Sequence, residues 1–301
     1  MAPPIKKRNR DASSRSKRRE SSDRGETRPP QRAFVDRGDR PPRRDFIERS
    51  FAKRSDGSTI FGVLPVLEAL KANARRVDRI AIAEGTREHR LQEIIELARE
   101  NGIRTDRVLR EVIDRYVGPE TNHQGVVAFA ASADYAEVDE ILDSERTEAQ
   151  LIVILDGVED PRNLGAVLRS VECSGADGVI IPERRAVGLT ETVSKSSAGA
   201  TEYVKVAKVT NLNRLIEELK ERNIWVVGTS GDAATDYTDW DWRQPSALIL
   251  GAEGTGLHRL VAENCDVLVK IPMYGKIDSL NVSVAAGVIL FEARRQRNLR
   301  D

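Results

Sequence analysis

The chain has 301 residues, with 48 Lys/Arg against 48 Asp/Glu and a formal net charge of zero. At about 100–200 residues per domain it has room for two domains. No apolar run approaches the roughly 18 residues of a membrane span, and the N-terminus has no apolar core, so neither an integral membrane protein nor a secretory signal is expected. The neutral total hides an asymmetry: Met1–Arg54 holds 18 Lys/Arg and 8 Asp/Glu, which leaves the remainder acidic. Cys173 and Cys265 are far apart and match no metal-ligand or CxxC spacing. They are expected to be inert reduced thiols in a soluble, cytoplasmic, metal-free protein.

Residues 1–55 are rich in Arg, Pro, Ser and Asp and offer almost nothing to bury. They read as a disordered basic arm, suited to electrostatic contact with RNA or to simple solubilisation. A globular pattern begins near Thr59. Val63, Leu67 and Leu70 predict a helix ended by Asn73-Ala74, followed by a strand over Val77–Ala83. Leu91, Ile94, Ile95 and Ala98 predict a second helix, stopped by Asn101-Gly102. A strand over Ile103–Val108, a helix around Glu111–Tyr116 and a buried strand in Gln124–Ala130 complete a small α/β domain over 56–131. His123 reads as a residue making a local hydrogen bond in a turn. Residues 132–149 read as an acidic linker with a short helix at Val138–Leu142.

From 150 to 301, strands and helices alternate in the manner of a largely parallel sheet. Strands are predicted at Leu151–Leu155, Gly178–Ile181, Tyr203–Val206, Ile224–Gly228, Ala247–Leu250 and Val267–Ile271. Helices are predicted at about Asn163–Ser174, Glu191–Ala198, Leu212–Arg222, Leu257–Glu263 and Val282–Arg297. Trp225, Trp240 and Trp242 are too few to form a base-stacking platform, and the 240–242 turn is expected to pack on the surface. By spacing alone this half is an open doubly wound fold.

Three stretches stand out. Asp156-Gly157-Val158-Glu159-Asp160-Pro161-Arg162-Asn163-Leu164-Gly165 follows a buried strand and opens a helix carrying Arg169. Leu248–Leu257, with Gly251, Glu253, Gly254 and Gly256, follows another strand. Lys270–Glu292 leaves a strand at Ile271, breaks at Pro272, and re-enters as Ser279-Leu280-Asn281 at the head of an apolar helix. Taken singly, each has an ordinary explanation: glycines ending a strand serve a turn, while Asn163, Asn281 and Ser283 suit helix capping. Ile271 and Leu280 suit a core, Arg169 suits an exposed helix face paired with Glu172, and His258 suits the surface. The glycines do not form the GxGxxG fingerprint, which argues against a nicotinamide enzyme.

Together, in this order and spacing, the three stretches resemble the motifs of the SpoU/TrmH family of RNA ribose 2′-O-methyltransferases, over roughly Phe61–Arg297. The resemblance implies a Rossmann-like parallel sheet with a deep trefoil knot, preceded by a small α/β RNA-binding domain whose closing segment matches Thr121–Val126. It implies S-adenosylmethionine as methyl donor, bound by Gly251, Ile271 and Leu280, with Gly254, Thr229 and Ser230 nearby. It implies catalytic roles for Arg169, Asn163, Glu253, Ser279 and Asn281, with Glu253 orienting Asn163 or Arg169. For Arg169 a general-base role and an electrostatic or phosphate-binding role both stay open, since guanidinium holds its proton tightly. The branch resembled methylates a guanosine ribose of 23S rRNA as a homodimer joined through the knotted domains. Methylation of tRNA, or a non-catalytic RNA-binding or ribosome-assembly role on the same fold, are the alternatives.

Overall fold

Two sheets organise the computed structural model, which describes residues 57–298 except 88, 90 and 145–147. The basic arm expected over 1–55 lies outside the described residues. The smaller sheet is built from β1 (Ser58–Phe61), β2 (Val77–Ala83), β3 (Arg104–Val108) and β4 (Val126–Ala130), in the order β1-β4-β2-β3. Strand β4 runs antiparallel to both neighbours, and β2 and β3 are parallel. Helices α1 (Val63–Ala72) and α2 (Gln92–Glu100) cover one face through Ile60, Ile80, Ile82, Val126 and Ala128. Helix α3 (Arg110–Val117) covers the other through Ala81, Ala83, Val127 and Phe129. Strand β1 is too short and too weakly patterned to be read from its four residues; its pairing with β4 creates it.

His123 is the polar residue at this domain's centre, fully buried. Its Nδ1 accepts from the Gly125 N–H at 3.1 Å, so its Nε2–H donates to Asp114 Oδ1 at 3.0 Å. The turn expected from the sequence is present, and both ring nitrogens serve it.

The larger sheet is parallel throughout. Its strands are β5 (Leu151–Asp156), β6 (Gly178–Pro182), β7 (Val206–Val209), β8 (Trp225–Thr229), β9 (Thr235–Asp236), β10 (Ser246–Gly251) and β11 (Val267–Lys270), ordered β7-β6-β5-β10-β8-β11-β9. Side-chain alternation assigns the two faces. Leu151, Val153 and Leu155 meet helices α5 (Pro161–Ser174) and α9 (Val282–Asn298), whereas Ile152 and Ile154 meet α4 (Val138–Leu142), α7 (Leu212–Glu221) and α8 (Arg259–Asn264). Helix α6 (Glu191–Ser196) packs beside α5. No helix among the described residues is long and apolar enough to cross a membrane.

Two expectations need correction. The strand read at Tyr203–Val206 begins only at Val206, because a 3-10 turn over Ala200–Glu202 continues into Tyr203 and Val204, whose N–H groups both reach back to Ala200 O. The stretch 132–149 carries the short helix read at Val138–Leu142, and it packs on the larger sheet: Ala136 bridges to Ala207 of β7, and Ile141 and Leu142 are buried. Trp242 is fully buried, with its indole N–H on Tyr237 O at 2.8 Å, while Trp225 is the exposed member of an edge-on pair with Trp240. Both cysteines are free. Burial pushes the Cys265 thiol up to about 11, and burial likewise raises that of Cys173.

The fold must keep His123 neutral, because protonating Nδ1 breaks its bond from Gly125. Burial holds its pKa below the ordinary histidine value, outweighing the Asp114 bond, with Arg110 and Lys195 adding to the depression. Below about pH 6.5 the unfolded chain therefore binds the proton that the folded one refuses, and stability falls as pH falls through that window. His123→Gln should cost roughly 1–3 kcal/mol at pH 7.5. Urea unfolding should show that deficit narrowing at pH 5.5; a gap independent of pH would remove the neutral-imidazole argument.

Candidate active site at the strand ends

Strand order places the site. After β5 the chain moves to β6 on one side, and after β10 it moves toward β11 on the other, so the β5–β10 border is a topological switch point. Open parallel sheets bind ligands at the carboxyl ends of such a border. The pairing runs in register from Ser246↔Leu151 to Gly251↔Asp156, which brings the first and second glycine-rich stretches out of the sheet side by side.

Helix α5 starts there because Asp160 caps it, its Oδ1 accepting from Arg162 N at 2.8 Å, with Pro161 at the first helical position. That start places Asn163 in the first turn, buried. Beyond Gly251 the chain folds into a tight loop in which Ala252 and Gly256 exchange backbone hydrogen bonds of 2.9 and 3.1 Å. This closure requires glycine at 251: a Cβ there would lie 2.1 Å from the carbonyl carbon of Gly256 and 2.3 Å from Leu257 N. Gly254 at the loop tip has φ +79, where other residues are strained. Glu253 sits at the same tip.

The third stretch closes the cluster. Asn281 Nδ2 donates to Asn163 Oδ1 at 2.9 Å and also to Glu253 Oε1, and Asn163 Nδ2 donates to the same Glu253 oxygen at 3.0 Å. The other end of Asn281 caps α9, its Oδ1 accepting from Ser283 N at 3.0 Å and from Ser283 Oγ at 2.5 Å. Capping and site-building thus coexist in one amide. Three residues separated by 90 and 118 positions form a closed triangle. Two amide donors converge on the one oxygen, Glu253 Oε1.

Other candidates stand apart from this triangle. Arg169 lies six residues beyond Asn163, about 240° around the helix, and is exposed where Asn163 is buried. Among the described residues no carboxylate pairs with it, so the Glu172 pairing does not form. Ser279 is exposed and makes no hydrogen bond among the described residues. Thr229, Gly251 and Ile271 stand at or just past the ends of adjacent strands β8, β10 and β11. Thr229 Oγ1 donates to Ile249 O at 3.2 Å, and Ser230 O and Oγ receive the amides of Ala233 and Asp232 in a turn. The β10–β8 ladder stops at Ile249↔Gly228, so backbone beyond it is open to a ligand. Leu280 turns 42% of its surface outward, an apolar side chain at a site edged by open backbone. Such a lining suits an adenine ring held by main-chain groups between aliphatic side chains.

Two residues were missed. Asp156, buried at the end of β5, takes the His258 N–H on Oδ2 and the His258 ring Nδ1 on Oδ1, both at 2.8 Å. This grip ties the foot of the 252–257 loop to the first stretch, so His258 is a structural partner and not merely surface. Gly165 lets α5 approach α6, since a Cβ would lie 1.9 Å from Ser196 Oγ. The only sequence sign of either was a carboxylate or a glycine inside a motif.

Gly251→Ala should destabilise by about 1–3 kcal/mol through overpacking alone, because its backbone angles suit alanine. An unchanged urea midpoint would mean that the loop does not close over this position.

Comparison with known proteins matches two stretches of the chain. Residues 59–136 match the RNA 2′-O ribose methyltransferase substrate-binding family, and residues 150–291 match the SpoU rRNA methylase family. A Bacillus subtilis protein assigned to the TrmH family of tRNA/rRNA methyltransferases, YacO, is 47% identical over 241 residues, spanning 79% of this chain and 96% of its own. The SpoU methyltransferase AviRb of Streptomyces viridochromogenes, solved with AdoMet, superposes with a TM-score of 0.66 at 27% identity, covering 79% of this chain and 89% of its own. A crystal structure of an RNA 2′-O ribose methyltransferase gives 0.70 at 28%, covering 86% and 98%. With its three motif stretches joined at the switch point of a parallel sheet, this chain belongs to the SpoU/TrmH family of RNA methyltransferases.

Proposed function

We propose that the chain transfers a methyl group from S-adenosylmethionine to the 2′-hydroxyl of a ribose in RNA, with a guanosine of 23S rRNA as target, in the cytoplasm. The observation that carries this reading is the Asn163–Glu253–Asn281 triangle, which locks all three motif segments at one strand border. Thr229, Ser230, Gly251, Gly254, Ile271 and Leu280 would hold the methyl donor. When bound, S-adenosylmethionine supplies an electrophilic methyl group on a sulfonium.

The chain's own contribution is positioning, which is worth much of the barrier in a displacement between two bound partners. The triangle fixes the loop that closes over Gly251 relative to the helix that presents Arg169. Arg169 acts as a phosphate or transition-state contact, an exposed guanidinium that no carboxylate pairs with among the described residues. Ser279, exposed, would meet the donor's carboxylate end or the target ribose. The small domain supplies the main RNA grip.

The homodimer belongs to the same proposal. Helix α9 buries Ala286, Ile289, Leu290 and Ala293, yet Val284 and Phe291, one heptad apart, are about half exposed. This second apolar stripe matches an interface between two copies. The trefoil knot also enters here, as the threading that would hold the 271–281 loop beneath the Gly251 loop. Because the Bacillus relative's family description spans tRNA and rRNA, tRNA is the second substrate to test.

Incubation with methyl-tritiated S-adenosylmethionine and either 23S rRNA or tRNA should put label into alkali-resistant dinucleotides of the rRNA. Label in tRNA alone would move the target, and label in neither would end the enzymatic reading. Arg169→Ala should lower kcat at least 100-fold while RNA affinity stays within a few-fold. Phe291→Glu should convert dimer to monomer by light scattering; an unchanged mass would place the interface elsewhere.

A further inference from the structure

The small domain is seated on the larger one, and the seat is the element that also supports the catalytic helix. Arg75, between α1 and β2, makes a two-point ion pair with Glu202 of the 3-10 turn, one contact being Nε to Oε2 at 3.0 Å. The two side chains are only 9% and 2% exposed. The same guanidinium donates from Nη1 to Ser58 Oγ at 3.0 Å and to Ala131 O at 3.2 Å. Strand β1 is an edge strand, and its outward Thr59 N–H is taken by Glu191 Oε1 at 3.0 Å. Tyr203 donates its hydroxyl to Glu68 Oε2 at 2.7 Å. Helix α1 also comes close: at Gly199, φ +95, a Cβ would lie 2.6 Å from that of Glu68.

On its other side the seat grips α5. Ser196 Oγ donates to Pro161 O at 3.1 Å, and Gly165 removes the side chain that would hold the two helices apart. Contacts therefore run without a gap from the small sheet, through residues 191–203, to the first turn of the helix bearing Asn163 and Arg169. A buried ion pair is a poor source of stability, because desolvation offsets its attraction; its best-attested use is to specify one arrangement over others.

We propose that Arg75 and Glu202 are positioning residues that fix the direction from which RNA held by the small domain reaches the methyl-transfer site. The proposal rests on the RNA-methyltransferase reading above. A flexible tether would only raise local RNA concentration, whereas a fixed seat settles orientation during folding, before the substrate arrives.

The test is steady-state methylation of rRNA by the full-length protein, together with small-angle scattering. Arg75→Ala should raise KM for RNA at least tenfold, leave kcat and S-adenosylmethionine affinity within twofold, and increase the radius of gyration. The exchange pair Arg75→Glu with Glu202→Arg should return both quantities toward wild type. If Arg75→Ala compromises folding, Glu202→Gln serves in its place, with an expected three- to tenfold rise in KM. An unchanged KM with an enlarged radius would overturn the proposal, since the seat would then exist without guiding RNA. An unchanged radius would overturn the seat itself. Failure of the wild-type protein to methylate any RNA would count against the functional reading, while scattering would still report on the seat.

Discussion

The in-register parallel pairing of β5 with β10 is the constraint on which the site depends. Six consecutive residue pairs end at Gly251 opposite Asp156, so two loops separated by almost a hundred residues leave the sheet at the same height. Everything beyond is short range. Asp156 grips His258, Ala252 pairs with Gly256, and Glu253 is delivered to Asn163. A slip of one residue would turn Ile152 and Ile154 to the opposite face and separate both loops. Because both faces are buried, that slip is costly, and the hydrophobic core thereby sets the geometry of the polar site.

The triangle itself is a closed polar cluster. Both polar ends of Asn281 and both of Asn163 are engaged, the latter through Glu253 and Asn281. Satisfied networks of this kind rigidify, whereas a half-satisfied one would penalise the fold through an unpaired buried amide at Asn163. Glu253 is exposed enough to need no burial compensation and central enough to orient both amides. Arg169 follows the opposite logic, standing outside the network with no carboxylate partner among the described residues. Rigidity and available charge are assigned to different residues.

Much of this was legible from residues alone. Alternating buried strands named the larger sheet, and the order of Asn163, Glu253 and Asn281 in three glycine- and serine-rich stretches named the family. The sequence could not show which candidates meet. Asn163 and Arg169 share a helix and are grouped by the resemblance, yet six residues of α-helix carry them to different faces. Tyr203 sat in an apolar run that looked like strand, and the 3-10 turn with the Glu68 contact holds it out. Trp242 looked exposed in a polar turn, although its indole N–H found Tyr237 O and allowed full burial. The stretch before residue 150 reads as an acidic linker with a short helix at Val138–Leu142, and that helix is present. Val138, Ile141 and Leu142 carry the helix, and Asp139 and Asp143 pair with Arg222 across the domain.

The capping amide of Asn281 has a consequence for the order in which the protein becomes competent. Asn163 and Glu253 are both synthesised before Asn281, and neither has its full set of partners until that residue arrives and α9 has nucleated behind it. Since domains fold as they emerge from the N-terminal side, the small domain and most of the larger sheet can form while the site is still open on one side. Assembly of the centre is thus coupled to the synthesis of Asn281 and the helix behind it. A growing chain surrounded by RNA on the machinery that makes it carries its substrate-gripping domain early and its transfer chemistry late.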